Sequence, residues 1–136
     1  MYVYLRYLMK KYNLALTYEP KIAAILAGGC SQTIRIGGKF SVGDQVSFHG
    51  WEGKPYRSKW SFRTPYFTLK EVINGQIYPW GLCLSSKYEH RWDCSKTDEI
   101  AKLDGIVPPT GIELGNVLNR LNKIPVTGAW MQIIRW

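Results

Sequence analysis

The chain reads as a single α+β domain, and three observations carry that reading. Apolar residues alternate over two short stretches, two later segments show helix start and stop signals, and the last eight residues form a largely apolar strand. The predicted order is strand, helix, strands, two helices, strand. Residues 13–136 form the expected domain and residues 1–12 a lead-in.

Leu14, Leu16 and Tyr18 alternate along the first predicted strand. Glu19-Pro20 then opens a helix, because proline is tolerated in the first turn and an acid there favours the dipole. Ile22, Ile25 and Leu26 form its expected inner stripe, and Gly28-Gly29 ends it. A polar turn, Cys30-Ser31-Gln32-Thr33-Ile34-Arg35, leads on to Gln45–His49, where Val46 and Phe48 are expected to point inward. Gly50 to Lys70 has no clear period and reads as a long loop or a protruding hairpin. A strand from Phe67 to Ile73 is followed by Asn74-Gly75, a hairpin-turn signal, with Gln76 to Leu84 returning. Thr97 is placed to cap a helix through Leu103 that stops at Gly105. Thr110-x-x-Glu113 is a capping-box pattern ahead of Leu114, Val117, Leu118 and Leu121. Ala129 to Trp136 is expected to be a central strand, with Trp130 and Trp136 in the core.

With 136 residues, 46% of them hydrophobic and 21% charged, the chain can bury one core and is not compositionally disordered. Its apolar runs are shorter than the roughly 18–20 residues that cross a bilayer. Residues 1–11 make a poor signal peptide, their apolar stretch being short and broken by Arg6. Three irregularly spaced cysteines suit reduced thiols, so a cytoplasmic location with no membrane partner is expected. Cys83, His90 and Cys94 lack the spacing of a zinc site, and neither a metal nor another cofactor is expected.

The net charge of +8 is uneven: Thr33 to Lys70 holds seven basic residues and two acids. Such a concentration suits a polyanionic partner, the alternative being a solvated surface. Within it, Trp51 and Tyr56 interleave with Lys54, Arg57 and Lys59, residue types that stack on unpaired bases and follow phosphates. Arg35 and Thr33 share one face if Ile34 is buried. A guanidinium beside a hydroxyl suits a phosphate or a base edge, and the alternative for Arg35 is a salt bridge with Asp44 or Asp104.

Several of these pieces together resemble the ASCH family, which is related to PUA folds. They are Ile25-Leu26-Ala27-Gly28, Gln32-Thr33-Ile34-Arg35, Val42-Gly43-Asp44, Asp104-Gly105 and Ile133-Ile134-Arg135-Trp136, in order over residues 13–136. The resemblance implies a small PUA-like β-barrel with helices at its rim and a cleft at the Thr-Ile-Arg turn. Some relatives are described as RNA-binding or ribonuclease-like. One branch is an amidohydrolase of acetylated cytidine that uses a lysine, a threonine and a glutamate. Carried over by position, Thr33 matches the threonine, Asp104 stands where the glutamate would be, and the lysine position falls on Cys30. A thiol supplies no positive charge, although as a thiolate it is a nucleophile.

The leading expectation is therefore an RNA-binding domain that recognises exposed nucleotides. Its cleft would use Thr33, Arg35 and Asp104, and its basic aromatic loop would use Trp51, Lys54, Tyr56, Arg57 and Lys59. The alternatives are a hydrolase of RNA or a modified nucleoside using Thr33, Asp104 and Cys30, and a protein-interaction module.

Overall fold

A computed structural model describes residues 9–51, 60–85 and 88–136. Lys54, Tyr56, Arg57 and Lys59, and residues 1–8 of the expected lead-in, lie outside the described residues. The elements run β1 (Lys11–Ala15), α1 (Glu19–Leu26), β2 (Gln32–Ile36), β3 (Gln45–Trp51), β4 (Trp60–Arg63), β5 (Phe67–Thr68) and β6 (Glu71–Tyr78). They continue with β7 (Gly81–Ser85), β8 (Tyr88–Arg91), α2 (Ser95–Leu103), α3 (Gly111–Leu121) and β9 (Ala129–Arg135). The α+β class is as the sequence predicts.

The strands form two sheets. One is ordered β1-β3-β4, with β5 also pairing β3, and the other β2-β9-β6-β7-β8. Among the described residues the strands close no barrel. β1 and β3 are parallel, so the chain must cross over between them, and α1 with β2 makes that crossing. In the second sheet β9 lies between β2 and β6 and pairs antiparallel with both. Alternation along β9 then feeds two cores. Ile133 and Met131 join Ile34, Ile77 and Leu82 beneath α2 and α3. On the other face Ile134 joins Val46, Phe48, Leu69 and Leu16 between the sheets. Among the described residues no helix is long and apolar enough to cross a membrane.

Several local expectations change. The first strand is Lys11–Ala15, beginning two residues before the expected domain boundary. Asn74-Gly75 is not a turn but the middle of β6, and the β6–β7 connection is Pro79-Trp80. A Cβ on Gly75 would come within 2.7 Å of the Cys83 carbonyl oxygen, so glycine here permits close strand packing. Asn74 accepts a hydrogen bond from Gln132, also within the sheet. The α2 N-cap is Cys94, whereas the Thr97 hydroxyl in the first turn donates among the carbonyls of Arg91, Trp92 and Cys94. Trp130 is 68% exposed rather than in the core. Trp136 packs as expected, stacked on Phe67 with centroids 5.6 Å apart. Thr110 caps α3 through the Glu113 N–H, as the capping-box pattern anticipates.

Candidate functional site

The site is assembled at the outer edge of β2. Gly28, at φ +77°, reverses the chain after α1, and the Gly29 and Cys30 N–H groups both bond the Ala24 carbonyl. β2 therefore starts alongside the helix that precedes it. Thr33 and Arg35 fall on one face of the strand, Gln32 and Ile34 on the other. Since β2 is the last strand of its sheet, a side chain from α1 can reach across its edge. Lys21 does so.

The Lys21 Nζ donates to Asp104 Oδ2 at 2.5 Å and to Thr33 Oγ1 at 3.2 Å. All three residues are buried, with 7%, 1% and 2% exposure respectively. Asp104 is the C-cap of α2, followed by Gly105 at φ +73°. A carboxylate at the negative end of a helix, away from water, needs a cation and hydrogen-bond donors. Lys21 is the cation, and Gln32 Nε2 donates to Oδ1 at 3.1 Å. The Gln32 amide is itself oriented by Arg135, whose Nε donates to Oε1 at 2.8 Å and whose Nη1 pairs with Glu71 at 2.6 Å. Burial raises the Asp104 pKa above the usual carboxylate value, opposed chiefly by Lys21.

Thr33 and Asp104 are thus joined through Lys21, and Cys30 bonds neither of them. Its thiol is buried and donates to the Gln32 and Leu103 carbonyls at 3.4 Å each. Burial is the main cause of its raised pKa, which disfavours a thiolate nucleophile. The lysine that does bond Thr33 and Asp104 is Lys21, nine residues before Cys30 on the helix before the turn. Sequence reasoning placed Ile22, Ile25 and Leu26 inward. The buried positions of α1 are Lys21 and Ile25, and Leu26 is 57% exposed. A lysine four residues before a buried isoleucine was the available signal.

Arg35 forms neither of the ion pairs considered for it. Asp44 accepts from the backbone N–H groups of Lys10 and Ser41, and Asp104 is engaged by Lys21. Arg35 Nη2 instead donates to the Ala15 carbonyl at 2.9 Å, and the guanidinium carbon lies 6.0 Å from the Phe48 ring centroid. Its Nε is buried without an acceptor among the described residues. Desolvation lowers its pKa to about 10.

A 310 Å³ cleft opens over this group, lined by Lys21, Thr33, Arg35 and Asp104 on its polar side and by Ile106, Val117 and Leu118 among its apolar residues. That volume is at the small end for ligand pockets, which span about 300–1,000 Å³. A larger, 500 Å³ cleft faces the other side of α1, between Ile22, Leu26, Trp51 and Phe62. Among the described residues that line it, Glu19 is the one titratable side chain. Trp51, expected in the nucleotide-binding loop, ends β3, half-buried and edge-on to His49 with centroids 4.8 Å apart. Among the described residues no group of three or more His, Cys, Asp or Glu side chains could hold a metal.

His49 has a lowered pKa, caused by burial and then by Arg63 and Arg35. The folded protein therefore binds this proton less readily than the unfolded chain does. The associated stability is intact above pH 6.5 and is lost as the pH falls below it. Melting temperature is expected to drop between about pH 7 and about pH 5, and to drop less in His49→Gln. Equal drops in the two proteins would exclude His49 as the responsible group.

Comparison with family models, with curated proteins and with solved structures finds no match to this chain.

Proposed function

We propose that the protein is a hydrolase of a small acylated substrate of the modified-nucleoside class, acting in the cleft over Lys21, Thr33 and Asp104. One observation carries the reading: a buried lysine bonded at once to a threonine hydroxyl and a carboxylate, at the floor of a cavity of ligand size. The lysine, threonine and acid of the amidohydrolase branch of the family that the sequence resembles have candidate counterparts in Lys21, Thr33 and Asp104, with the lysine from another position and aspartate for glutamate. The two-sheet arrangement is compatible with an opened PUA-like barrel, the finer fold this reading assumes.

Thr33 is the nucleophile in this scheme. An alcohol is weak until its proton is removed, and a base within hydrogen-bond reach removes it. Lys21 Nζ first passes a proton to Asp104, 2.5 Å away, and the lone pair so freed then takes the proton of Thr33 Oγ1, 3.2 Å away. The raised pKa of Asp104 makes that carboxylate the better acceptor. Thr33 Oγ1 then attacks the acyl carbonyl carbon, the relayed proton goes to the departing amine, and water cleaves the acyl-threonine. The test is turnover of N4-acetylcytidine. Thr33→Ala is expected to lower it by about 10²–10⁴-fold with little change in melting temperature. Turnover undiminished in Thr33→Ala, or absent from the wild type on acylated nucleosides, overturns the proposal.

A second reading, RNA binding, is favoured by the net charge of +8 and by the aromatic wall that Trp51 and Phe62 give the larger cleft. It requires affinity for single-stranded RNA that falls steeply with salt. Salt-insensitive affinity, or none, removes it.

A further inference from the structure

We infer that the small cleft binds an anionic ligand, one whose phosphate group binds Arg35, in preference to a neutral nucleoside. The inference rests on reading this cleft as the ligand site and adds the charge of what enters it.

The argument begins with the charges around the cleft. Its lining holds two cationic side chains, Lys21 and Arg35, and one carboxylate, Asp104. Asp104 is committed: one oxygen accepts from Lys21, the other from Gln32. Arg35 has no carboxylate at ion-pair distance among the described residues. Of its five N–H donors, one on Nη2 has a partner among the described residues, the neutral Ala15 carbonyl. Its Nε–H is buried and unsatisfied. The residue is half-buried and its Nε fully so, and a charge drawn away from water is normally matched by a counter-charge and acceptors, because desolvation is costly. Desolvation pulls its pKa down to about 10 and the Asp104 charge offsets this only in part, while the group stays charged at neutral pH.

Within the fold Arg35 bonds the Ala15 carbonyl and lies over the Phe48 ring, and neither contact supplies a negative charge. Arg35 extends from β2 towards β1, where its single bond to Ala15 holds the guanidinium at the cleft wall. Thr33 lies two residues away on the same face of the strand, and Lys21 reaches over from α1. An oxyanion placed here meets a planar fork of donors from Arg35. The apolar side, with Ile106, Val117 and Leu118, is left for a base or an acyl group. A neutral nucleoside would leave Arg35 as unmatched as it is without a ligand. A nucleotide supplies the missing charge.

The test uses non-hydrolysable probes, so that it is independent of turnover. Cytidine, cytidine 5′-monophosphate, inorganic phosphate, acetate and a short single-stranded RNA would be titrated calorimetrically into the full chain. A charged hydrogen-bonded contact corresponds to an expected preference of about ten- to a hundredfold for the monophosphate over cytidine. Inorganic phosphate is expected to compete with it in the wild type, a readout that needs no variant. In Arg35→Met the preference should vanish, and in Arg35→Lys part of it should remain. Competition by RNA as strong as by the monophosphate would identify a backbone phosphate as the source. Weaker competition would identify a free nucleotide, and either result supports the inference. Equal affinity for cytidine and its monophosphate, a preference that survives Arg35→Met, stronger competition by acetate than by phosphate, or no binding of the monophosphate would overturn it. Turnover of acylated nucleosides can fail while the phosphate preference stands, and the reverse, so the two readings fall separately.

Discussion

Asp104→Ala is expected to destabilise the protein by about 3–5 kcal/mol, because it leaves a buried ammonium without its counter-charge. Asp104 is 1% exposed and accepts from Lys21 on one oxygen and Gln32 on the other. Without it, among the described residues Lys21 keeps the Thr33 hydroxyl alone and Gln32 Nε2 the Ile100 carbonyl alone. Domains of this kind are stable by about 5–15 kcal/mol, so the loss is a large share of the total. The figure is the penalty for breaking the pair, not the net contribution of having it. Buried ion pairs replaced on both sides by apolar residues are often neutral or stabilising. The double variant Lys21→Met/Asp104→Leu is therefore expected to recover most of the loss in urea denaturation while removing turnover. An Asp104→Ala protein within about 1 kcal/mol of wild type, the scale of exposed pairs, would show that the pair is not buried as described. Recovered stability with lost activity is what a pair retained for chemistry predicts.

Deleting Gln132–Trp136 is expected to abolish cooperative unfolding altogether. β9 pairs β2 on one side and β6 on the other, so the deletion opens the second sheet through its middle. Ile133 and Ile134 are fully buried, one in each core. Trp136 adds contacts with Phe67 and Phe48. Each such side chain contributes about 1.5–3 kcal/mol on burial, and three of them approach the whole stability of a small domain. Gln132 also ties the backbone of Phe40 to Asn74, and Arg135 orients Gln32 beneath Asp104. The loss reaches the site as well as the sheet. A sharp thermal transition in the truncated chain, followed by circular dichroism, would contradict the central placement of β9.

Much of the fold was legible because its signals are local. Glu19-Pro20 at the start of α1, Gly28 at its end, the Thr110–Glu113 cap of α3 and the apolar run of β9 are each set by neighbours in the chain. Asn74-Gly75 misled because the same dipeptide serves a hairpin turn or a tightly packed strand. The Cys83 carbonyl and the Gln132 amide, distant in sequence, select the strand. Thr97 misled for a related reason. Its hydroxyl finds three carbonyls in the first turn of α2, one step past the position a cap requires.

The candidate site divides in the same way. Thr33, Arg35 and Asp104 were singled out from residue type and position, and the structure brings all three to one cleft. Cys30 was placed by counting along the turn, and counting cannot register a side chain arriving from another element.

By itself the sequence determined the α+β class, the positions of the helices, the apolar final strand and the polar turn that carries Thr33 and Arg35. Those follow from periodicity, capping and glycine stops, which act over a few residues. Only the tertiary structure decided that Lys21 is the partner of Thr33 and Asp104, that Cys30 is a buried donor to carbonyls, and that Arg35 has no ion pair among the described residues. Those facts depend on α1 lying across the edge of β2 and on Asp104 coming from 83 residues beyond Lys21. Burial and pairing are properties of where distant segments meet, and no local pattern encodes them.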